Sequence, residues 1–490
     1  MISSVLSAPK APKATRPPKR VIDLGQAPTA KAGMTTTFTQ KFFDDYRGQV
    51  MDLLQTNLND LSMPDSSQDF NVGIGKVFLT LTQQKLTSFS IDKNRSTIKI
   101  QDQSPNLLFR IEGVNLDFAM QFNLQSKPAW IQDKGQGTIS IKDLTIAVSL
   151  APYNKKGKMQ VDFTDALIDI KDYSADFQGS SDFSKVFNII LRSFKSFFKN
   201  EVANVLAMKI TSTFEDSFNS MLYTGPSILS MKEDTIFMNY TLTGDPIFTK
   251  DYMSVPFDGS FIQKVNQTFQ PGAELLDIPS YYEAGKQLQI FISEGSLNSA
   301  LSALHTQGWL KLEQDDILST VVSMIFDNFE KVYGSSQKLR IFMESDEPKP
   351  VLKITQKETV IEAQTKLHIK NPYNSEYDAA LITSKLTIQL ELEVTQNFNL
   401  TGKVKKISFE VQGLQTFFES DTTVEDVQER IDLFVTPIQS SMNQKLRKGV
   451  RLPVPDLIIT DVSNSELIQF NGFIMIQADP KIVNTDKKII

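Results

Sequence analysis

The sequence predicts an α+β protein of elongated build in which one plan, a helix, an antiparallel sheet and a further helix, occurs twice. Two patterns carry that prediction. From Phe183 to Leu222 a long helix is marked by Phe183, Phe187, Ile190, Phe194, Phe198, Val202, Val205 and Met208, apolar residues at three- and four-residue steps. At about 1.5 Å per residue it would run roughly 60 Å, longer than a compact domain accommodates. Just upstream, Val114, Leu116, Phe118, Met120, Phe122 and Leu124 alternate as one face of a strand.

Taken in chain order, Phe38, Phe42, Phe43, Tyr46, Val50, Leu54, Leu58 and Leu61 give a first amphipathic helix that Pro64 closes. Strand-like stretches follow from Val72 to Ile170, divided by polar turns at 92–96, 125–137 and 152–158. The long helix completes the first half. The second half opens with a short helix through Ile292, Leu297, Ala300, Leu301 and Leu304, stopped by Gly308. Its clearest strands carry Leu386, Ile388, Leu390, Leu392 and Val394, then Ile407, Phe409 and Val411. A last helix after Thr423 runs through Val427, Ile431, Ile438 and Leu446, with a kink expected at Pro437 and a stop at Gly449. The repeated order predicts two pseudo-symmetric domains, 34–225 and 278–490. Residues 226–277 between them, with Pro226, Pro246, Pro256 and Pro271 among short apolar runs, suit strands shared by both halves.

Composition narrows the function classes. The chain has 490 residues, enough for two or three cores, and its 40% hydrophobic content is ordinary. Its 34 phenylalanines fit either plain core filling or the lining of a lipid cavity. No run approaches the ~18 apolar residues of a membrane span, so contact with a bilayer would be peripheral. A net charge of −6 argues against nucleic acid as a partner. Cysteine is absent, which removes disulfides, thiolate metal sites and cysteine nucleophiles. The two histidines, His305 and His368, are too distant in sequence to suggest a metal pair. Hydrolase, P-loop and zinc-protease motifs are missing, and Gly73-Ile74-Gly75 lacks the third glycine of a nucleotide fingerprint. No catalytic residue, metal ligand or cofactor is therefore nominated, and an enzyme is not expected.

Residues 1–33 are of a different composition. Lys10, Lys13, Arg16, Lys19, Arg20 and Lys31 face a single acid, Asp23, and five prolines oppose regular helix, so the segment reads as a disordered basic tail. The apolar run of a signal peptide is not visible in it. Such a tail suits docking on acidic lipid or on a protein partner.

The ordered set of short motifs resembles the bactericidal/permeability-increasing, lipopolysaccharide-binding and cholesteryl ester transfer protein family. Gly33-Met34-Thr35 opens and Leu61-Ser62-Met63-Pro64-Asp65 ends the first helix in the family's manner. Asn239-Tyr240, Asp258-Gly259-Ser260-Phe261 and Gln289-Ile290-Phe291-Ile292-Ser293-Glu294 are similar to its central strands and to the approach to its second-domain helix. Leu452-Pro453-Val454-Pro455 and Phe470-Asn471-Gly472-Phe473-Ile474 are similar to its closing segments.

The resemblance implies a boomerang of two barrels, each an antiparallel sheet wrapped round a long helix, joined by a central sheet and holding phospholipid in apolar tunnels. The implied activity is lipid transfer, or recognition of lipid or lipopolysaccharide, without chemistry; the rival is a scaffold protein that keeps the fold and docks through its tail. A first tunnel is expected from Tyr46, Val50, Leu54, Leu116, Phe118, Met120, Phe187, Leu191, Phe194 and Phe198. A headgroup-contacting tip is expected from Lys127, Trp130 and Lys134 in one turn and Tyr153, Lys155, Lys156 and Lys158 in the next, both at one end of the molecule. The family's first-domain disulfide has no counterpart near Leu167 and Phe214. Residues 31–230 carry 21 basic and 21 acidic side chains, so the strongly cationic domain that suits lipopolysaccharide is missing. Family members imply secretion, whereas the lack of cysteine and of a visible signal peptide leaves an intracellular site open.

Overall fold

The computed structural model describes residues 29–58, 62–71, 75–102, 104–179, 227–232, 235–265, 268–269, 275–283, 285–395, 399–451 and 464–480, together with 199–200, 202–208, 215 and 219. Strands β1 (Thr29–Ala32) and β2 (Met34–Thr39) precede helix α1 (Gln40–Leu58). The first helix thus starts later than expected, and Gly33-Met34-Thr35 and Phe38 lie outside it. Four threonines in six residues favour the extended backbone of β2. Both of its edges are hydrogen-bonded to other strands, and Thr39 Oγ accepts from the Phe42 amide at the helix start. Within α1 the spacing of Phe42, Phe43, Tyr46 and Leu54 buries one face.

The N-terminal sheet is antiparallel throughout: β3 (Ser66–Asn71), β4 (Lys76–Ser90), β5 (Thr97–Gln101), β6 (Asn106–Lys127), β7 (Gln132–Lys155), β8 (Lys158–Asp169) and β9 (Asp172–Gly179). Its spine is the hairpin of β6 and β7, 22 and 24 residues long. Each is so long that two shorter strands share its outer edge, β5 and β4 along β6, and β8 and β9 along β7. The long helix predicted after this sheet falls mostly outside the described residues, although 199–200 and 202–208 are helical, with Val202, Val205 and Leu206 buried. Met208, expected on the same stripe, is 64% exposed, so it does not belong to the buried face.

Short strands follow: β10 (Ile228–Lys232), β11 (Ile236–Asn239), β12 (Ile247–Phe248), β13 (Tyr252–Phe257), β14 (Phe261–Val265), β15 (Thr268–Phe269), β16 (Leu276–Pro279) and β17 (Leu288–Ser293). Helix α2 (Glu294–Thr306) is capped by the Ser293 side chain and ends before Gly308, whose φ of 65° requires the freedom of glycine. Ile292 is the last buried residue of β17 rather than the first of the helix.

The C-terminal sheet runs in sequence order, β18 (Lys311–Leu318), β19 (Lys338–Ile354), β20 (Thr359–Lys370), β21 (Asp378–Val394), β22 (Asn399–Thr416) and β23 (Val450–Arg451). Two short helices, α3 (Ser319–Ser323) and α4 (Phe329–Tyr333), bridge β18 and β19. Thr423 forms a capping box with Asp426 at the start of α5 (Val424–Arg430). A 3₁₀ turn, Ile431–Phe434, then separates α5 from α6 (Val435–Leu446). The break therefore precedes Pro437, which sits in the first turn of α6 where its missing N–H costs nothing.

Finally β24 (Glu466–Phe470) and β25 (Phe473–Ala478) return to a six-stranded central sheet of order β12-β13-β2-β17-β25-β24. This sheet draws on both ends of the chain as well as on its middle. The largest apolar core joins the N-terminal sheet to the central strands, and a second fills the C-terminal sheet beneath α5 and α6.

Candidate functional site

The inner face of the N-terminal sheet is where the alternation of β6 places its large side chains. Val114, Leu116, Phe118, Met120, Phe122 and Leu124 are all 5% exposed or less, while Gln121, Asn123 and Gln125 point outward. Across the ladder Phe118 pairs with Leu86 and Ile139, and Leu116 with Phe89 and Ile141. Tyr46 and Leu54 from α1 are buried in the same continuous apolar cluster, and Val50 is half-buried against it. Six of the ten expected tunnel residues are thereby brought together, while Phe187, Leu191, Phe194 and Phe198 lie outside the described residues.

Tyr46 brings a polar atom into this interior from α1. The Tyr46 ring stacks on Phe42 with centroids 4.0 Å apart, and its hydroxyl is buried with no hydrogen-bond partner among the described residues. Burial first, and the neighbouring Asp45 carboxylate second, push its pKa above the usual phenol value. A neutral hydroxyl that lacks an acceptor in an apolar wall is suited to a ligand carbonyl or ester oxygen.

A cleft of about 350 Å³ lies on the opposite, polar face of the sheet, lined by Gln83, Lys85, Thr87, Gln121, Thr138 and Gln178. It is separate in chemistry from the interior, which the inward residues of the same strands line.

The expected tip divides in two. Lys127, Trp130 and Lys134 share the β6–β7 turn, where the Ser126 hydroxyl donates to Pro128 O at 2.8 Å and accepts from the amides of Trp130 and Ile131 at 2.9 and 2.8 Å. This network holds Trp130 outward, 38% exposed. The Lys127 ammonium lies 5.5 Å from the Phe78 ring centre. Tyr153, Lys155, Lys156 and Lys158 belong to the β7–β8 turn, and the whole length of β7, 24 residues, stands between the two turns. At about 3.3 Å per residue they occupy opposite ends of the sheet, not one end. The β7–β8 turn is moreover docked on the central connection: Leu242 N donates to Gly157 O at 2.8 Å and Asn154 N to Asp245 Oδ1 at 2.8 Å. Successive turns of a meander alternate ends, which is why adjacency in sequence misled the expectation.

The histidines sit on the C-terminal half. His305 Nδ1 lies 2.7 Å from Ser345 Oγ. His368 Nδ1 lies 2.9 Å from Asp378, to which Lys370 also donates at 2.8 Å. Burial pushes the Asp378 carboxyl up, but hydrogen bonds from Lys370 and His368 outweigh it and hold the group below the usual carboxylate range. Among the described residues no cluster of three His, Asp or Glu side chains is arranged to hold a metal ion, and no helix is long and apolar enough to cross a membrane.

A surface missed by the sequence reading lies at the far end of the C-terminal sheet. Tyr373 and Tyr377 in the β20–β21 turn, Phe417 after β22 and Met324 between α3 and α4 are 58–66% exposed. Three aromatics within and just beyond the polar turns beside strand ends were the available signal.

The profile of the LBP/BPI/CETP family, C-terminal domain, matches residues 230–482, more than half of the chain. The chain belongs to that family. Its fold is that of the crystal structure of lipopolysaccharide binding protein, to which it is similar with a TM-score of 0.58 at 15% identity, covering 93% of this chain and 100% of that one. Epiphyas postvittana Takeout 1 gives 0.28 at 15% identity over 38% of this chain and 93% of that one. P47 from Clostridium botulinum A2 gives 0.27 at 10% identity over 92% and 98%. No curated protein matches the chain. The α+β class and the tubular architecture read from the sequence are thus those of the family, with curled antiparallel sheets in both halves.

Proposed function

We propose that the protein holds phospholipid acyl chains, or another amphipathic lipid, in the apolar interior of its sheets, for lipid transfer or lipid recognition. The observation that carries this reading is the unbroken inward row on β6, from Val114 to Leu124, in one apolar cluster with Tyr46 and Leu54 of α1. Burying acyl chain gains about 0.8 kcal/mol per CH₂, so such a wall offsets the cost of withdrawing a lipid from a bilayer. Barrels at 34–225 and 278–490, linked through 226–277, would each hold lipid, with no cofactor beyond it. Trp130, Lys127 and Lys134 form the part of the expected tip that suits contact with a membrane surface. Secretion accords with the family.

The complete burial of Leu116 and Phe118 favours a second reading, a scaffold whose barrels are filled by side chains. The test is to purify the protein from its native source, extract it with organic solvent and identify co-purified lipid by mass spectrometry. One or two phospholipids per chain support the carrier; none, with no uptake from liposomes, leaves the scaffold.

A further inference from the structure

Helix α1 meets its surroundings in two ways. The flank toward β4 and β5 carries Gln40, Asp44 and Gln55, and each is bonded. Gln40 Nε2 donates to Ile98 O at 2.8 Å and to Asp44 at 2.9 Å, Ile100 N donates to Gln40 Oε1 at 2.9 Å, and Gln55 Nε2 donates to Phe89 O at 3.3 Å. Tyr46 and Gln49 stand about 60° apart round the helix axis and about 120° or more from that flank. The Tyr46 hydroxyl and the Gln49 side-chain carbonyl oxygen are both buried, and neither has a hydrogen-bond partner among the described residues. Buried polar groups are nearly always paired, so an unmet donor and an unmet acceptor on one side of one helix call for a ligand that supplies both partners.

The class of that ligand follows from the surroundings. Tyr46 is 5% exposed, stacks on Phe42 and belongs to the apolar cluster that includes Leu116 and Phe118. Among the described residues the one charge that perturbs its hydroxyl is the Asp45 carboxylate, which repels an anion. The lysines that α1 meets are paired with acids, Lys41 with Asp479, Lys93 with Asp52 and Lys99 with Asp44. Arg47 lies about 100° round the axis from Tyr46. A phosphodiester thus meets a carboxylate rather than a cation beside Tyr46, and it has no proton to give Gln49. An acylglycerol with a free hydroxyl carries both complements in one glycerol unit, and its acyl chains suit the apolar row of β6. We propose, on the reading of the N-terminal interior as a lipid site, that it takes such a neutral glycerolipid, a mono- or diacylglycerol, with an ester carbonyl accepting from Tyr46 and the free hydroxyl donating to Gln49.

Uptake from liposomes by the delipidated full chain tests this with four lipids of matched chain length: dioleoylglycerol, its diether, which lacks the carbonyls, its acetate ester, which lacks the hydroxyl, and dioleoyl phosphatidylcholine. Dioleoylglycerol is expected to bind roughly ten-fold tighter than the diether and than the acetate, the loss that follows when a buried polar group goes unpaired. Tyr46→Phe should erase the preference for ester over ether and keep the preference for the hydroxyl, and Gln49→Leu should do the reverse. Phosphatidylcholine taken up as well as dioleoylglycerol, or a preference that survives the substitution meant to erase it, overturns the inference and leaves the carrier standing. Uptake of none of the four overturns both. A second readout needs no variant: in the parent chain the ester carbonyl stretch of isotope-labelled dioleoylglycerol should move to lower frequency on binding, as it does when a carbonyl accepts a hydrogen bond. An unshifted band overturns the inference even where a variant fails to fold.

Discussion

Phe118→Ala distinguishes a lipid-bearing wall from a filled core. Phe118 is fully buried, faces inward from the middle of β6, and lies between Leu86 and Ile139 on the adjoining strands. Truncation removes roughly 100 Å³ of side chain, and at ~24 cal/mol per Å³ the resulting cavity costs about 2.4 kcal/mol. Loss of the ring's burial adds about 2 kcal/mol. Their combined size falls within the 3–5 kcal/mol typical of Phe→Ala in a core. That loss is expected in delipidated protein, read as a fall in urea midpoint at constant slope. After reloading with phospholipid, an acyl chain in contact with position 118 would occupy the space and reduce the loss to about 2 kcal/mol, the transfer contribution alone. The same loss with and without lipid would refute a wall role and assign Phe118 to core. A loss below about 1 kcal/mol in both states would refute the packing itself.

Three further outcomes follow from the geometry. Trp130→Ala with Lys127→Ala should weaken binding to anionic liposomes, the lysine alone by about five-fold at ~1 kcal/mol, whereas Lys155→Glu with Lys156→Glu at the docked turn should leave it unchanged; equal losses at both turns in a sedimentation assay would contradict the division of the tip. Tyr46→Phe should raise the alkaline unfolding midpoint. Because the folded Tyr46 pKa is raised, its neutral form stabilises the fold fully below the unfolded value of about 10, and that contribution is lost as pH rises beyond it; an unchanged midpoint counts against the burial of this hydroxyl. Gly33→Ala should lower thermal stability by about 1–3 kcal/mol, since an added Cβ would collide with the Asp258 carbonyl oxygen of the backbone; a parental melting temperature would show that the two segments separate freely.

What the sequence made legible was whatever a two- or 3.6-residue period encodes. The inward row of β6, the buried face of α1, the helix after Thr423 and the stop at Gly308 are local signals, and each is found where its chemistry puts it. The start of α1 was misread because Phe38 continues the helical stripe by chance, whereas Thr35, Thr36 and Thr37 are fully or almost fully buried between two strands whose paired residues lie 217 to 256 positions away in sequence. Pairing across that distance leaves no mark in a local window. The two turns of the expected tip illustrate the same limit: their lysines are few residues apart on a list of loops, yet a strand as long as β7 carries them to opposite ends. The aromatic surface at the far end of the C-terminal sheet escaped notice because an exposed tyrosine in a turn is unremarkable until Tyr333, Phe418 and the neighbouring turn are seen beneath and beside it.

The central sheet makes the two halves interdependent. β2, at residues 34–39, is the strand between β13 and β17, and β17 in turn pairs with β25 at residues 473–478. The first described elements and the last are therefore two strands apart, joined only through β17 from the middle of the chain. Removing either end would leave one edge of β17 unpaired, with Ile290 and Ile292, now buried, exposed along it. The central sheet therefore forms only once segments from the start, middle and end of the described chain are present, whereas the N-terminal and C-terminal sheets each draw on one half. Any lipid held in one half is held by a structure to which the other half contributes strands. That coupling is what a carrier needs if loading at one end is to be registered at the other.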